Sequence, residues 1–201
     1  MNDTIRWQIG IAITISVFMV MGLGFVNSGQ DGRVDKLSTE VHLLRNDLLS
    51  RQAEQVVFLK IVHLRADIDR KWAREIAKII HSECIRYKVD ADLVVAIMRW
   101  ESYFEVNAKT DAGAQGLMQV RRHWGELHGE ENLFDPATNV KRALYILKVY
   151  LHMYQQDLKL ALAAYNCGEN PVNTALMKGL DPTNQYVTNV LGTYEELGAL
   201  N

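Results

Sequence analysis

Residues 96–120 read AIMRWESYFEVNAKTDAGAQGLMQV, and the fold turns on how Glu101 sits in that stretch. An apolar helix ends on a carboxylate flanked by Trp100, Tyr103 and Phe104 and followed by Ser102. It then gives way to a loop punctuated by Gly113 and Gly116. Glu101 lies four residues after Ile97 and three after Met98. On a helix those positions share a face, so the carboxylate points the way the apolar side chains point. Desolvation raises a carboxyl pKa, because the charged form loses its water. A glutamate that keeps its proton near neutrality can act as a general acid. Taken alone, the segment has a plainer reading: a helix-end residue with a partner such as Arg99.

Outward from this stretch the pattern stays helical. Residues 33–112 contain neither Gly nor Pro, the strongest local breakers, which favours long helices. Val34, Leu37, Val41, Leu44 and Leu48 recur at alternating steps of three and four, a coiled-coil spacing. That stripe fails at Arg51 and Gln55 and restarts in another register as Val57, Ile61, Leu64 and Ile68. Two readings stand: a self-associating stalk, or a helix packed on the domain behind it. From about residue 71 the pattern turns globular, with Trp72, Ile76, Ile79, Ile80, Cys84 and Tyr87 on one helix face. Asp90 is suited to cap the helix that carries Leu93, Val94, Ile97, Met98 and Trp100. Asp135-Pro136 reads as cap and first turn of a helix through Val140, Leu144, Leu147 and Leu151. Leu158 to Tyr165 forms the next, stopped by Gly168. Asn170-Pro171 opens a short helix ending near Gly179, and Asp181-Pro182 precedes the last, through Val187, Val190 and Leu191. No run of strict alternation appears, so the fold class is all-α.

Composition bounds the rest. The 22 basic and 24 acidic residues leave a net charge of −2, which gives no footprint for nucleic acid. Cys84 and Cys167 are too few for a disulfide framework or a zinc site, and read as a bridge or as two lone buried thiols. His123-Trp124-Gly125-Glu126-Leu127-His128 lacks the His-Glu-x-x-His order of a zinc helix, and Gly125 disfavours a helix there. Ile9 to Val26 runs 18 residues without a charge, long enough to span a bilayer and longer than the apolar part of a signal peptide. We read an uncleaved anchor. Arg6 before it and Arg33, Lys36 and Arg45 after it leave a small bias that, if anything, opposes a cytoplasmic N-terminus. The organisation expected is a tail (1–8), a transmembrane anchor (9–26), a helical stalk (27–70) and a catalytic domain (71–201).

Three ordered blocks resemble the soluble-type lytic transglycosylases of the goose-type lysozyme superfamily. They are Glu101-Ser102, then Gly113-Ala114-Gln115-Gly116-Leu117-Met118-Gln119, then Ala161-Leu162-Ala163-Ala164-Tyr165-Asn166-Cys167-Gly168. The resemblance covers roughly residues 72–195. It includes Val89-Asp90-Ala91-Asp92-Leu93, Asp135-Pro136 with Asn139-Val140, and Tyr186-Val187 with Val190. It implies a lysozyme-like helical domain that cleaves the MurNAc–GlcNAc β-1,4 bond of peptidoglycan, with no cofactor and no metal. Glu101 would be the one catalytic carboxylate, protonating the glycosidic oxygen and then, as a base, taking the proton of the C6 hydroxyl. The product would be a 1,6-anhydro sugar, unlike that of the usual two-carboxylate glycosidases.

By the same resemblance Ser102, Met118, Gln119, Tyr165, Asn166 and Tyr186 are substrate-binding residues. Ser102 would hydrogen-bond the Glu101 carboxyl or the substrate, or cap the helix. Met118 would offer a polarizable contact to a sugar face, and Gln119 both a donor and an acceptor. Tyr165 and Tyr186 would sit at the acid, and Asn166 would hold backbone or substrate. The chain departs from the family at Glu105-Val106, Thr110, Arg121-Arg122-His123-Trp124 and Ala143. Glu105 or Asp111, if either reached the cleft, would open a hydrolytic route through water. Three functions follow: a membrane-anchored transglycosylase, a hydrolytic lysozyme, or a catalytically silent peptidoglycan-binding scaffold. An insoluble substrate outside the membrane places the domain in the periplasm of a bacterial inner-membrane protein, or alternatively on the membrane of a virion.

Overall fold

The computed structural model describes residues 31–121 and 132–200. The expected anchor (9–26), the tail before it and the His123–His128 segment lie outside the described residues. No described helix is long and apolar enough to cross a membrane. The chain divides into two compact units, Met1–Leu49 and Ser50–Asn201.

Helix α1, Asp31–Leu64, takes in the long Gly- and Pro-free run. Within the first unit Val34, Leu37, Val41, Leu44 and Leu48 are exposed, Leu37 at 61%. Within the second unit Val57, Phe58 and Ile61 are buried in the core. The change of register near Arg51 thus separates an exposed apolar stripe from a packed one. The compact unit begins at Ser50, ahead of residue 71, where the sequence pattern turns globular.

The second unit is helical around one central element. Helix α2, Arg70–Tyr87, starts where the Asp69 carboxylate accepts from the Trp72 amide and stops at Lys88 in a left-handed conformation. Helix α3, Ala91–Glu101, is capped by Asp90 accepting from the Asp92 amide at 2.8 Å. Leu93 through Met98 are all buried. A helix apolar on every side belongs in the middle of a domain, and α3 packs on α2 and on the last helix. Helix α4, Pro136–Met153, opens on Asp135-Pro136 as the sequence predicts. Helix α5, Leu158–Cys167, is capped by Asp157 and ends at Gly168, whose φ of +86° favours glycine. Helix α6, Glu169–Met177, begins directly after that glycine, one residue ahead of Asn170-Pro171. Helix α7, Gln185–Gly198, follows Asp181-Pro182 and is capped by Asn184 accepting from the Val187 amide.

One feature departs from an all-α reading. Strands β1, Ala114–Gln115, and β2, Val120–Arg121, pair antiparallel with Ala114 opposite Arg121 and Gln115 opposite Val120. Two residues a side are too few to show alternation in sequence. The hairpin folds the Gly116–Gln119 turn back beside α3.

Candidate active site

Glu101 is the last residue of α3, half-buried, at the wall of a groove of about 520 Å³. The buried face of α3 carries the carboxylate inward, and the Tyr186 hydroxyl of α7 donates to its Oε1 at 2.6 Å. Burial pushes the Glu101 carboxyl up to about 7, against the opposing pull of the Tyr186 hydrogen bond and the Arg121 charge. Desolvation wins. The group is therefore an acid with its proton shared near neutrality, and the Tyr186 contact leaves Oε2 to carry that proton. Arg99, the partner the plainer reading required, instead stacks over the Trp100 and Tyr103 rings at 5.4 and 4.1 Å.

The loop after α3 is held by buried polar groups. The Ser102 hydroxyl donates to the Leu117 carbonyl at 2.7 Å, and its amide donates to the Met98 carbonyl at the helix end. Asn139 of α4, fully buried, accepts from the Met118 amide and donates to the Gln115 and Leu133 carbonyls, each at 2.8 Å. One side chain thereby satisfies three backbone groups that burial would otherwise leave costly. Gly116 sits against it at φ +77°, where an added Cβ would collide with the Asn139 amide and the Leu133 carbonyl. The Tyr165 hydroxyl donates to the Met118 carbonyl at 2.8 Å, which fastens α5 to the same turn.

Of the residues expected at the site, Glu101, Gln119, Tyr165 and Asn166 line the groove, and Tyr186 joins it through Glu101. Burial first, and then the nearby Glu101 charge, pushes the Tyr165 phenol up, but its hydrogen bond goes to the backbone. Ser102 is buried beneath the groove with its donor committed to Leu117, not to the Glu101 carboxyl. Met118 is 0% exposed, so its thioether belongs to the core and its carbonyl to Tyr165. Gln119, left-handed at φ 48°, donates through Nε2 to the Ala108 and Gly116 carbonyls. Its Oε1 is buried with no donor among the described residues. Asn166 is exposed and accepts from Asn184 at 3.1 Å.

Glu105 and Asp111 do not line the groove. Glu105 is paired with Arg65 at 2.6 Å. Among the described residues, the carboxylate that shares the groove with Glu101 is Glu169, at the start of α6, which accepts from the Tyr150 hydroxyl at 3.0 Å. Arg121 lines it as well. None of Glu169, Tyr150 and Arg121 was picked out from sequence as a site residue. Tyr150 hides in the apolar stripe of α4, and Glu169 beside Gly168 looks like ordinary helix-start chemistry. Cys167 lines the groove, but its thiol donates to the Ala163 carbonyl at 3.1 Å and burial pushes its pKa up, which suits no nucleophile. Cys84 and Cys167 are both free. Among the described residues no cluster of three metal-ligating side chains occurs.

Comparison with known proteins agrees with this geometry. Residues 78–185 match the family model described as transglycosylase SLT domain. A membrane-bound lytic murein transglycosylase C of Mannheimia succiniciproducens is 28% identical over 171 residues, spanning 75% of this chain and 46% of that protein. Its counterpart in Photorhabdus laumondii is 29% identical over 167 residues, spanning 73% and 47%. The chain thus spans about half the length of the curated relatives it matches. Among solved structures, an inactive variant of lytic transglycosylase Slt from Pseudomonas aeruginosa aligns with TM-score 0.53 at 25% identity, over 60% of this chain and 23% of that one. The 70-kDa soluble lytic transglycosylase of Escherichia coli aligns with TM-score 0.55 at 20% identity, over 75% and 30%, a likeness of fold. With the matched region running from α2 to the start of α7 and enclosing Glu101, the chain belongs to the transglycosylase SLT domain family.

Proposed function

We propose that the chain is a peptidoglycan lytic transglycosylase in which Glu101 acts first as acid and then as base. The observation that carries this reading is the Glu101 carboxyl itself: half-buried at a groove wall, raised to about 7, and held by Tyr186 at 2.6 Å. Protonated Oε2 gives its proton to the glycosidic oxygen as the bond to C1 of MurNAc breaks. The 2-acetamido group stabilises the positive charge developing at C1. The carboxylate left behind takes the proton of the C6 hydroxyl, whose oxygen closes on C1 to form 1,6-anhydroMurNAc. Glu101 ends protonated as it began, and no water is consumed.

A second reading, hydrolysis, draws on Glu169, which stands in the same groove where Glu105 and Asp111 do not. Mass spectrometry of the products from purified peptidoglycan separates the two. Anhydro ends made by the full chain and absent with Glu101→Gln support the lyase. Reducing MurNAc ends that vanish with Glu169→Gln support hydrolysis, and binding without turnover supports a scaffold.

Residues 9–26 are proposed as a single-pass anchor that leaves the SLT unit on the periplasmic side. The uncharged run supports this, and so do relatives named membrane-bound. A periplasm-dependent reporter fused after residue 201 that stays silent would reverse the orientation. The exposed stripe Val34, Leu37, Val41, Leu44 and Leu48 supports self-association with a second copy. Sedimentation of the full chain in detergent tests it: a monomer at every concentration removes the proposal.

A further inference from the structure

We propose that the end of α1 is part of the catalytic apparatus, with Lys60 and Arg65 as positioning residues that grip the two ends of the helix bearing Glu101. This rests on the reading of Glu101 as the acid. Lys60, buried, reaches the buried Asp92 in the first turn of α3 with 2.8 and 2.7 Å contacts to its two oxygens. Arg65, one residue past the end of α1, acts on the segment that leaves α3. Its guanidinium donates to the Tyr103 carbonyl at 2.8 Å, pairs with Glu105 at 2.6 Å and lies 4.9 Å from the Tyr103 ring centre. Arg99 of α3 also stacks over that ring, at 4.1 Å.

The segment Arg65 holds is strained. Tyr103 and Phe104 are consecutive non-glycine residues at φ 55° and 63°, a conformation that persists only when its surroundings over-determine it. Trp72 supplies a further hold, donating to the Phe104 carbonyl, and the Phe104 ring is fully buried. Glu101 lies two residues before this turn. Relaxing the turn frees the last turn of α3, and displacement of a reacting group by about 1 Å can cost about a hundredfold in rate. The sequence conceals the arrangement, because Lys60 and Arg65 belong to the stretch that reads as stalk.

The test uses the full chain with three substitutions, Arg65→Gln, Glu105→Gln and Arg74→Met. Arg74 bonds Gln55 and stacks on Phe58, so it fastens α1 without touching α3 or its exit. Two quantities are read: kcat and KM on soluble glycan fragments, and the titration midpoint of the Glu101 carboxyl by carbon NMR in the free protein. The second does not depend on which reaction is catalysed. The Tyr186 hydrogen bond and the Arg121 charge both lower the Glu101 carboxyl, and neither residue is altered. The expected result for Arg65→Gln is a kcat lowered about tenfold or more, KM within about twofold, and a midpoint moved by at least about half a pH unit. Glu105→Gln gives a smaller shift of the same sign, and Arg74→Met leaves the midpoint in place. Glu105 is exposed, so its variant decides the matter should Arg65→Gln fail to fold. An unmoved midpoint in the folded variants overturns the proposal, as does an equal shift in Arg74→Met. Absent turnover in the unaltered chain, with the midpoint still responding to Arg65, would overturn the proposed reaction but leave the grip intact.

Discussion

At Glu101 two effects of opposite sign meet, and their balance sets what the residue can do. Burial raises the carboxyl from an ordinary 4.5 to about 7, while the Tyr186 hydroxyl lowers it. Tyr186→Phe removes the lowering effect, so the alkaline limb of the rate profile should move to higher pH while kcat falls by roughly 10–100-fold. A limb that stays in place would take Tyr186 out of the titration. The same shift links to stability with a definite sign. The folded chain holds this proton more tightly than the unfolded one, so stability is lost as pH rises from about 4.5 through about 7. The loss is about 3 kcal/mol at most. Glu101→Gln should therefore abolish turnover by more than about a hundredfold and raise the melting temperature at pH 8 but not at pH 4. Equal melting shifts at both pH values would show that desolvation is not the cause. Glu101 could be singled out in the sequence only through the three ordered blocks that it opens, since its own helix end read as easily as a carboxylate paired with Arg99. The direction of each hydroxyl was not, since Ser102 and Tyr165 bond to carbonyls that folding brings near from residues 117 and 118.

Among the elements, the helices were readable from their caps and stripes, and the hairpin was not. Asp90, Asp135-Pro136 and Gly168 each act at a helix terminus, because a short side chain or a missing Cβ meets a local backbone need. The β1–β2 turn depends instead on a distant residue, Asn139, which enters the sequence reading with Val140 as part of the family resemblance and without a role at the turn. Asn139→Leu should destabilise the unit by about 3 kcal/mol, as three buried backbone groups lose their partner. Gly116→Ala should cost about 2 kcal/mol or more, through both the collision and the left-handed backbone. Chemical denaturation of each variant checks these values, and neutral results would place the strain of the loop elsewhere. Met118 illustrates the limit of motif reading. Its position in the Gly-Leu-Met-Gln block suggested a sugar contact, yet its side chain fills the core while its carbonyl serves the site.

For the molecule as a whole, the compact unit includes part of what reads as a stalk. Val57, Phe58 and Ile61 are buried, and Lys60 neutralises a buried carboxylate whose partner cannot be removed without about 3–5 kcal/mol. A chain beginning at Ser50 should melt as cooperatively as the full chain, whereas one beginning at Lys71 should be unfolded or molten by circular dichroism. A native melt from the shorter chain would return these residues to a tether. The proton on Glu101 has one more consequence, which belongs to the surroundings. Its half-charged point lies near neutrality, and each pH unit beyond that point removes about tenfold of the acid form, so cutting should run roughly tenfold faster at pH 6 than at pH 8. The proposed reaction returns the proton it borrows and leaves the local acidity unchanged. In the proposed setting outside the membrane, the medium itself then acts as the throttle: acidification quickens the opening of the wall with no effector bound, and the enzyme's own work never resets it.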